Sequence, residues 1–280
     1  DSINLTEIDF QKPVVIGDAE SMRVQLIIKP EDNDGYYFEI LSAPLVYENI
    51  GATNWNKHVE GRFDFNVNDS VVHGLVQIQD IKERCLSELD INIFNDYYSK
   101  SNFQYGPSFK WLERIYVGNN ESLCFMRAAT ADDDMDDLIL HPGQVDCAFQ
   151  SIASLGIASG VLQIDGKPGI LAGIGGFRVM GRPKGRLVCH VVYESNDKVD
   201  GGFNADVTIY DEFGNLIAIA DRVRGAKVSH YHIANSLQRE SLTAKPYYEI
   251  AWQSTPKLKD LARLADEVLG PWLLVTKSSE

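Results

Sequence analysis

The chain has 280 residues, 44% of them hydrophobic, which is enough for a sizeable core and for one or two domains. Forty acidic residues against 26 basic ones give a formal charge of −14 at pH 7, the wrong sign for a protein that tracks a nucleic-acid backbone. Four cysteines (Cys85, Cys124, Cys147, Cys189) form no C-x-x-C pair, and no run is long and apolar enough for a membrane helix. These features point to reduced thiols in a cytosolic protein, and a first residue other than Met points to an excised or processed piece.

The first 64 residues read as strands. Asp9 to Ile16 ends at the turn signal Gly17-Asp18, and Arg23 to Ile28 is rich in β-branched residues. The acidic turn Glu31-Asp32-Asn33-Asp34-Gly35 leads into Tyr36 to Ile40, which makes a hairpin. Trp55 to Phe63 is a further strand. Residues 65–103 read as a linker with a little secondary structure. Ile78 to Leu89 suits a short helix, and Ile91 to Tyr98 is aromatic, Asn-rich and ambiguous.

A second block begins at Tyr105-Gly106-Pro107-Ser108-Phe109. Trp111 to Val117, the turn Gly118-Asn119-Asn120 and Ser122 to Ala128 make a hairpin. The acidic run Asp132 to Asp137 precedes a helix, where negative charge is favourable against the macrodipole; a solvated loop is the other reading. It lacks the ligand spacing of a calcium loop. The helix itself spans His141 to Gln150 and continues apolar through Ile152, Leu155 and Ile157. Strands follow at Gly169–Ala172, Phe177–Met180, Arg186–Tyr193 and Phe203–Tyr210, and Asp211 to Asn215 turns into Leu216–Gly225. A buried helix ahead of a long antiparallel meander is an α+β arrangement. In the tail, Pro246–Trp252 and Trp272–Thr276 read as strands around an amphipathic helix at Leu258–Leu269, as if a further domain begins there.

Asp146 is the strongest candidate for chemistry. It is an acid in an apolar run, and Gln150 lies one turn on along the same helix face. Burial raises the pKa of such a carboxyl and fits it for general-acid work, and Gln150 can orient it. His141 and Pro142 fix the helix start. A buried, satisfied aspartate is the alternative. Gly173-Ile174-Gly175-Gly176 is not a nucleotide loop, because Arg178 occupies the third glycine position; a loop or bulge is expected. No G-x-S-x-G, H-E-x-x-H or Walker A pattern occurs, and the histidines show no metal spacing. Arg178, Arg182, Lys184 and Arg186 form either a local basic patch for an acidic partner or a solvated loop.

His141-Pro142-Gly143-Gln144-Val145-Asp146-Cys147-Ala148-Phe149-Gln150 resembles the H-P-x-x-x-D-x-x-x-Q motif of polyketide synthase dehydratase domains. Tyr105 to Phe109 resembles their Y-G-P-x-F motif, and Trp55 to Gly61 their W-x-x-H-x-x-G stretch. Tyr247 to Trp252 with Pro271 to Val275 is similar to the lead into a ketoreductase structural region. The resemblance implies a double hotdog: two halves, each a long helix wrapped by antiparallel sheet. Residues 1–64 would be the C-terminal part of the first hotdog, 65–103 the link, 104–229 the second hotdog, and 230–280 a linker into the ketoreductase-type region.

The implied activity is elimination of water from a β-hydroxyacyl chain on the phosphopantetheine of an acyl carrier protein, with no cofactor bound by the domain itself. Asp146 would be the acid, Gln150 its support, and Tyr105, Gly106 and Pro107 would line the substrate. The family's first-half motif, H-x-x-x-G-x-x-x-x-P, has no match: Gly61 stands three residues after His58, not four. The base is therefore expected from a segment outside this chain, on a neighbouring subunit or in a longer polypeptide. Expected partners are the carrier protein, neighbouring synthase domains and, as in relatives of this type, a second copy. A non-catalytic dehydratase-like scaffold and a pyran-forming cyclase of the same fold are the alternatives.

Overall fold

The computed structural model describes residues 3–16, 21–31, 35–44, 55–65, 75–101, 103–130, 133, 135, 138–162, 169–194 and 202–227. All of them fall in the first of two compact units, residues 1–238. The expected tail elements at Pro246–Trp252, Leu258–Leu269 and Trp272–Thr276 lie outside the described residues.

The chain opens with β1 (Ile3–Phe10), β2 (Met22–Pro30), β3 (Tyr36–Pro44) and β4 (Asn56–Asp64). Then come α1 (Ile78–Arg84), β5 (Ser87–Leu89), α2 (Ile91–Lys100) and a 3-10 turn (Pro107–Phe109). The hairpin β6 (Leu112–Val117) and β7 (Glu121–Met126) precedes α3 (Pro142–Gln150) and α4 (Ala153–Ala158). The meander is β8 (Gly169–Val179), β9 (Leu187–Tyr193), β10 (Phe203–Asp211) and β11 (Leu216–Lys227). Among the described residues eleven strands form one sheet in the order β2-β3-β4-β1-β8-β11-β10-β9-β7-β6-β5, with every pairing between them antiparallel. β1 against β8 joins the early strands to the late ones.

Alternation along the strands sorts side chains into two layers. On one face of the later strands, Ile115, Met126, Cys189, Val191 and Val207 pack on Cys147, Ala148 and Ile152 of the α3–α4 segment, all nearly without exposure. On the other face, Leu123 and Val188 pack with Ile81 and Cys85 of α1 in a smaller cluster. All four cysteines are free and buried. Turn chemistry closes the meander: buried Asp211 accepts from the backbone N–H groups of Phe213 and Asn215, and Gly214 takes φ +85°.

Several local expectations change. The first strand runs Ile3–Phe10 rather than from Asp9 to Ile16, because Gln11 N–H turns onto the His58 carbonyl and Pro13 cannot donate to a ladder. Ile78 to Leu89 holds the short helix expected, α1, but only in its first part. It stops at Arg84, and Ser87–Leu89 pairs with Val117–Ile115 as the sheet edge. Ile91 to Lys100 is a helix capped by Asp90, whose side chain accepts from Asn92 N–H. Gly173 to Gly176 is not a loop but the middle of β8. Side chains of Arg224, Arg222 and Asp221 lie across Gly173, Gly175 and Gly176 where Cβ atoms would stand.

Part of the acidic run has a partner that spacing did not reveal. Asp133 takes both guanidinium nitrogens of Arg127 at 2.6 Å, and Arg127 lies 3.8 Å over the ring of fully buried Trp111. The Arg127 hydrogen bonds, with Thr130 N–H, hold the Asp133 carboxyl well below the usual range. Such a depressed carboxyl stabilises the fold at all pH values above its unfolded pKa, and the contribution is lost as pH falls below about 4. Asp133→Asn is therefore expected to lower Tm at pH 7, with the gap to wild type narrowing at pH 3. Thermal unfolding at the two pH values measures it.

Candidate active site

The site is built on α3, and α3 starts where the sequence expects. His141 Nδ1 accepts from Gly143 N–H at 2.9 Å, and Gln144 Oε1 accepts from His141 N–H at 3.0 Å, a reciprocal capping box. Pro142 takes the first helical position, where a missing N–H costs nothing. His141 also lies against Trp111, with ring centroids 5.2 Å apart. His141 and Pro142 thus fix where the helix begins, and neither lines the cavity described below.

The 3-10 turn docks on the same helix. The Phe109 carbonyl accepts from the Cys147 thiol at 3.2 Å and from Gln150 Nε2 at 3.3 Å, while Trp111 N–H donates to Cys147 Sγ at 3.3 Å. Gln150 Nε2 also donates to Asp146 Oδ2 at 2.6 Å. The two N–H bonds of one amide are therefore divided between a fixed backbone carbonyl and the carboxyl. This sets the direction of Gln150 and, through it, of Asp146.

Asp146 lines a cavity of about 1000 Å³. Tyr97, Tyr98, Phe103, Tyr105, Phe149 and Gln150 share its lining with Asp146, and Leu155, Leu162 and Leu171 contribute apolar wall. No Lys, Arg or His is among the described lining residues. Burial, with no cation among the described residues to offset it, raises the Asp146 pKa, and the Gln150 hydrogen bond offsets only part of that rise. Burial and the nearby Asp146 charge push Tyr105 well above its ordinary value, so its hydroxyl stays a neutral donor. The arrangement presents a half-buried carboxyl, primed toward its protonated form, beside a space large enough for a ligand.

Of the residues singled out from sequence, Asp146, Gln150 and Tyr105 come together at this cavity. Gly106 and Pro107 are exposed and sit in the turn beside it, outside the lining. Sequence reading missed Tyr98, whose hydroxyl donates to the Gln150 carbonyl at 2.8 Å. The signal lay in Phe94, Tyr97 and Tyr98 at helical spacing after the cap Asp90. In the basic patch, Arg186 is paired with Glu113 at 2.5 Å. Arg182 lies 3.5 Å from the Leu138 carbonyl. No group of described His, Cys, Asp and Glu could hold a metal ion, and no described helix is long and apolar enough to cross a membrane.

The sequence profile described as "Polyketide synthase dehydratase N-terminal domain" matches residues 75–232, more than half of the chain. The chain belongs to the polyketide synthase dehydratase family. Among curated relatives, it is 24% identical over 235 residues to polyketide synthase PksM of Bacillus subtilis (strain 168), covering 81% of this chain and 5% of PksM. PksN of the same organism is 22% identical over 164 residues, covering 58% of this chain and 3% of PksN. The chain thus spans about a twentieth or less of these relatives' length.

Among solved structures, the CurJ dehydratase, an inactive His-to-Phe mutant with a bound compound, superposes with a TM-score of 0.70 at 22% identity, covering 83% of this chain and 77% of that one. An inactive Asp-to-Asn mutant of the CurK dehydratase gives 0.68 at 18% identity, covering 81% and 76%. The fold is the double hotdog of these dehydratase domains, as the motifs imply.

Proposed function

We propose that this chain is the dehydratase region of a modular polyketide synthase, removing water from a β-hydroxyacyl chain held on the phosphopantetheine of an acyl carrier protein. The observation that carries the reading is Asp146, a carboxyl of raised pKa on the wall of a 1000 Å³ cavity, oriented by Gln150. In the elimination a base takes the α-proton, the C–O bond to the β-hydroxyl breaks, and Asp146 gives its proton to the departing oxygen. Water leaves, and the α,β carbons gain a double bond. Gln150 engages Oδ2, and Oδ1 has no hydrogen-bond partner among the described residues. Tyr105 stands nearby as a neutral donor for the substrate. The inactive His and Asp mutants of the curacin dehydratases agree with a two-residue mechanism of this kind.

The base on this reading is a histidine outside the described residues. The described histidines are otherwise engaged. His58 contacts Ser42 Oγ at 2.6 Å and the Lys12 carbonyl at 3.0 Å, His141 caps α3, and His190 contacts Glu121 at 2.8 Å. Before residue 75 the described residues form four strands and no helix. One face of β2 leaves Val24, Leu26 and Ile28 half or more exposed, and the opposite face of the β2–β4 strands carries the Lys29–Glu39–Lys57–Glu60 ion pairs. An apolar stripe on one side only suits a covering helix, which would bring the base. Residues 1–64 and 104–229 then belong to the two hotdogs, 65–103 joins them, and 230–280 leads into a ketoreductase-type region.

The same open face favours a second reading, a scaffold that keeps the fold to dock a neighbouring domain or subunit. The two are separated by supplying the chain, alone and joined to a first-hotdog helix bearing the H-x-x-x-G motif, with a β-hydroxyacyl pantetheine thioester. Appearance of the enoyl thioester only in the joined protein is expected. A folded joined protein that releases no water leaves the scaffold, and a cyclic ether product identifies a cyclase.

A further inference from the structure

The helix that carries Asp146 is interrupted just after Gln150. Ser154 N–H donates to the Ser151 carbonyl at 3.0 Å and Ile152 N–H to that of Phe149 at 3.2 Å, so the ladder tightens by one residue between α3 and α4. Ser151 Oγ bonds back to the Ala148 carbonyl at 2.6 Å, a contact that bends helices. The tightening withdraws Ser154 N–H from the Gln150 carbonyl. A buried carbonyl without a partner is costly, and this one is taken by Tyr98 Oη at 2.8 Å. On the other side of the break, Tyr193 Oη donates to the Ile152 carbonyl at 2.6 Å.

We propose that Tyr98 is a positioning residue for the Asp146–Gln150 pair, acting through the Gln150 carbonyl at a built break in the helix that carries both. Tyr98 is itself firmly held. Its ring lies 5.2–5.7 Å from those of Phe94, Phe103 and Tyr105, and its carbonyl accepts from Phe103 N–H at 2.9 Å. Without its hydroxyl, the Gln150 carbonyl is free to recapture Ser154 N–H and restore a regular helix. That rotation carries the Gln150 amide away from the Phe109 carbonyl and from Asp146. Tyr98 thus links α2, in the stretch between the two hotdogs, to the reacting carboxyl. The geometric role stands on the hydrogen bonds alone, and its consequence for turnover rests on the reading of Asp146 as the acid.

The test follows the Asp146 carboxyl by carbon NMR through a pH titration of the full chain. Facing it are the hydroxyls of Tyr98 and Tyr105 and the Cys147 thiol, all pushed up by burial and neutral through the range. The Gln150 hydrogen bond favours the charged carboxyl, so its loss moves the midpoint up. Tyr98→Phe is expected to raise it by about half a pH unit. Gln150→Leu raises it at least as far, and the double variant adds nothing further. A midpoint unmoved in folded Tyr98→Phe, or shifts that add, overturns the proposal. Should Tyr98→Phe fail to fold, 3-fluorotyrosine in place of Tyr98 keeps the ring and strengthens the donor. The midpoint then moves down, and an unmoved midpoint overturns the proposal.

In the joined protein, turnover by Tyr98→Phe falls about fivefold. If no thioester is dehydrated but the midpoint shifts, the proposed function fails and the positioning role stands. If turnover is present and Tyr98→Phe changes neither midpoint nor rate, the positioning role fails alone.

Discussion

Asp146→Asn is expected to lower dehydration by the complemented protein by about 10²- to 10⁴-fold, the usual contribution of a positioned general acid, and to raise Tm at pH 7. The two effects have one cause. Burial, with no cation among the described lining residues, lifts the folded pKa of Asp146 above its unfolded value of about 3.9, so the native state holds its proton to higher pH than the unfolded chain does. Stability then declines as pH climbs from the unfolded value through the folded one, and the deficit persists at neutrality. Asparagine keeps the shape and can still accept from Gln150 Nε2, yet carries no charge to bury. The stabilisation of Asp146→Asn should vanish below about pH 4, where the wild-type carboxyl is protonated in both states. Thermal unfolding across pH and a thioester assay measure the pair of effects. If the variant is destabilised at pH 7 and retains full turnover, Asp146 is a structural residue and the acid lies elsewhere.

The parts of this arrangement that were legible in the chain are the ones set by local spacing. Asp146 and Gln150 are four residues apart, so one helix face holds both, and the 2.6 Å bond between them follows from that. The hairpins β2–β3 and β6–β7 were legible because turn residues separate β-rich runs at short range. Most of what escaped depends on residues far apart in sequence. Gly173 to Gly176 reads as a loop because four residues rich in glycine have no intrinsic strand preference. They lie in a strand because Arg222, Arg224 and Asp221 arrive from β11 and fill the space above them. Asp133 is the exception: its partner Arg127 is only six residues away, but that spacing makes neighbours in neither a helix nor a strand, so it looks like one more solvated acid.

The break after Gln150 was hidden for a similar reason. Nothing between Phe149 and Ala153 is a Pro or Gly, and the apolar run reads straight through. The interruption is stabilised by hydroxyls from α2 and β9, 52 and 41 residues away from the carbonyls they reach. A sequence window shorter than those separations sees an intact helix, so local patterning located the acid but not the residue that holds it.

Gly143 of the α3 motif and Gly106 of the Tyr105–Phe109 motif should respond oppositely to alanine. A Cβ on Gly143 would stand 1.9 Å from the Ser108 carbonyl oxygen and 2.8 Å from Trp111 Nε1. The obstacle is backbone, and that oxygen already accepts the Trp111 indole N–H at 2.7 Å, so it cannot withdraw without breaking this bond. Alanine gains about 1 kcal/mol of helix propensity over glycine. Forcing α3 off the 3-10 turn also disturbs the Phe109 carbonyl that holds Cys147 and Gln150, and overpacking of this kind typically costs about 1–3 kcal/mol or more. The steric loss prevails, so Gly143→Ala should unfold at lower denaturant and lose turnover together. Gly106 has φ −72° and ψ 173°, and its added Cβ meets nothing within 4 Å. Gly106→Ala should therefore be neutral or up to about 1 kcal/mol more stable, because the unfolded chain loses freedom. Chemical denaturation of both variants reads the contrast. A Gly143→Ala protein as stable as wild type would mean that the turn and α3 are not docked in the way that aims Gln150 at Asp146.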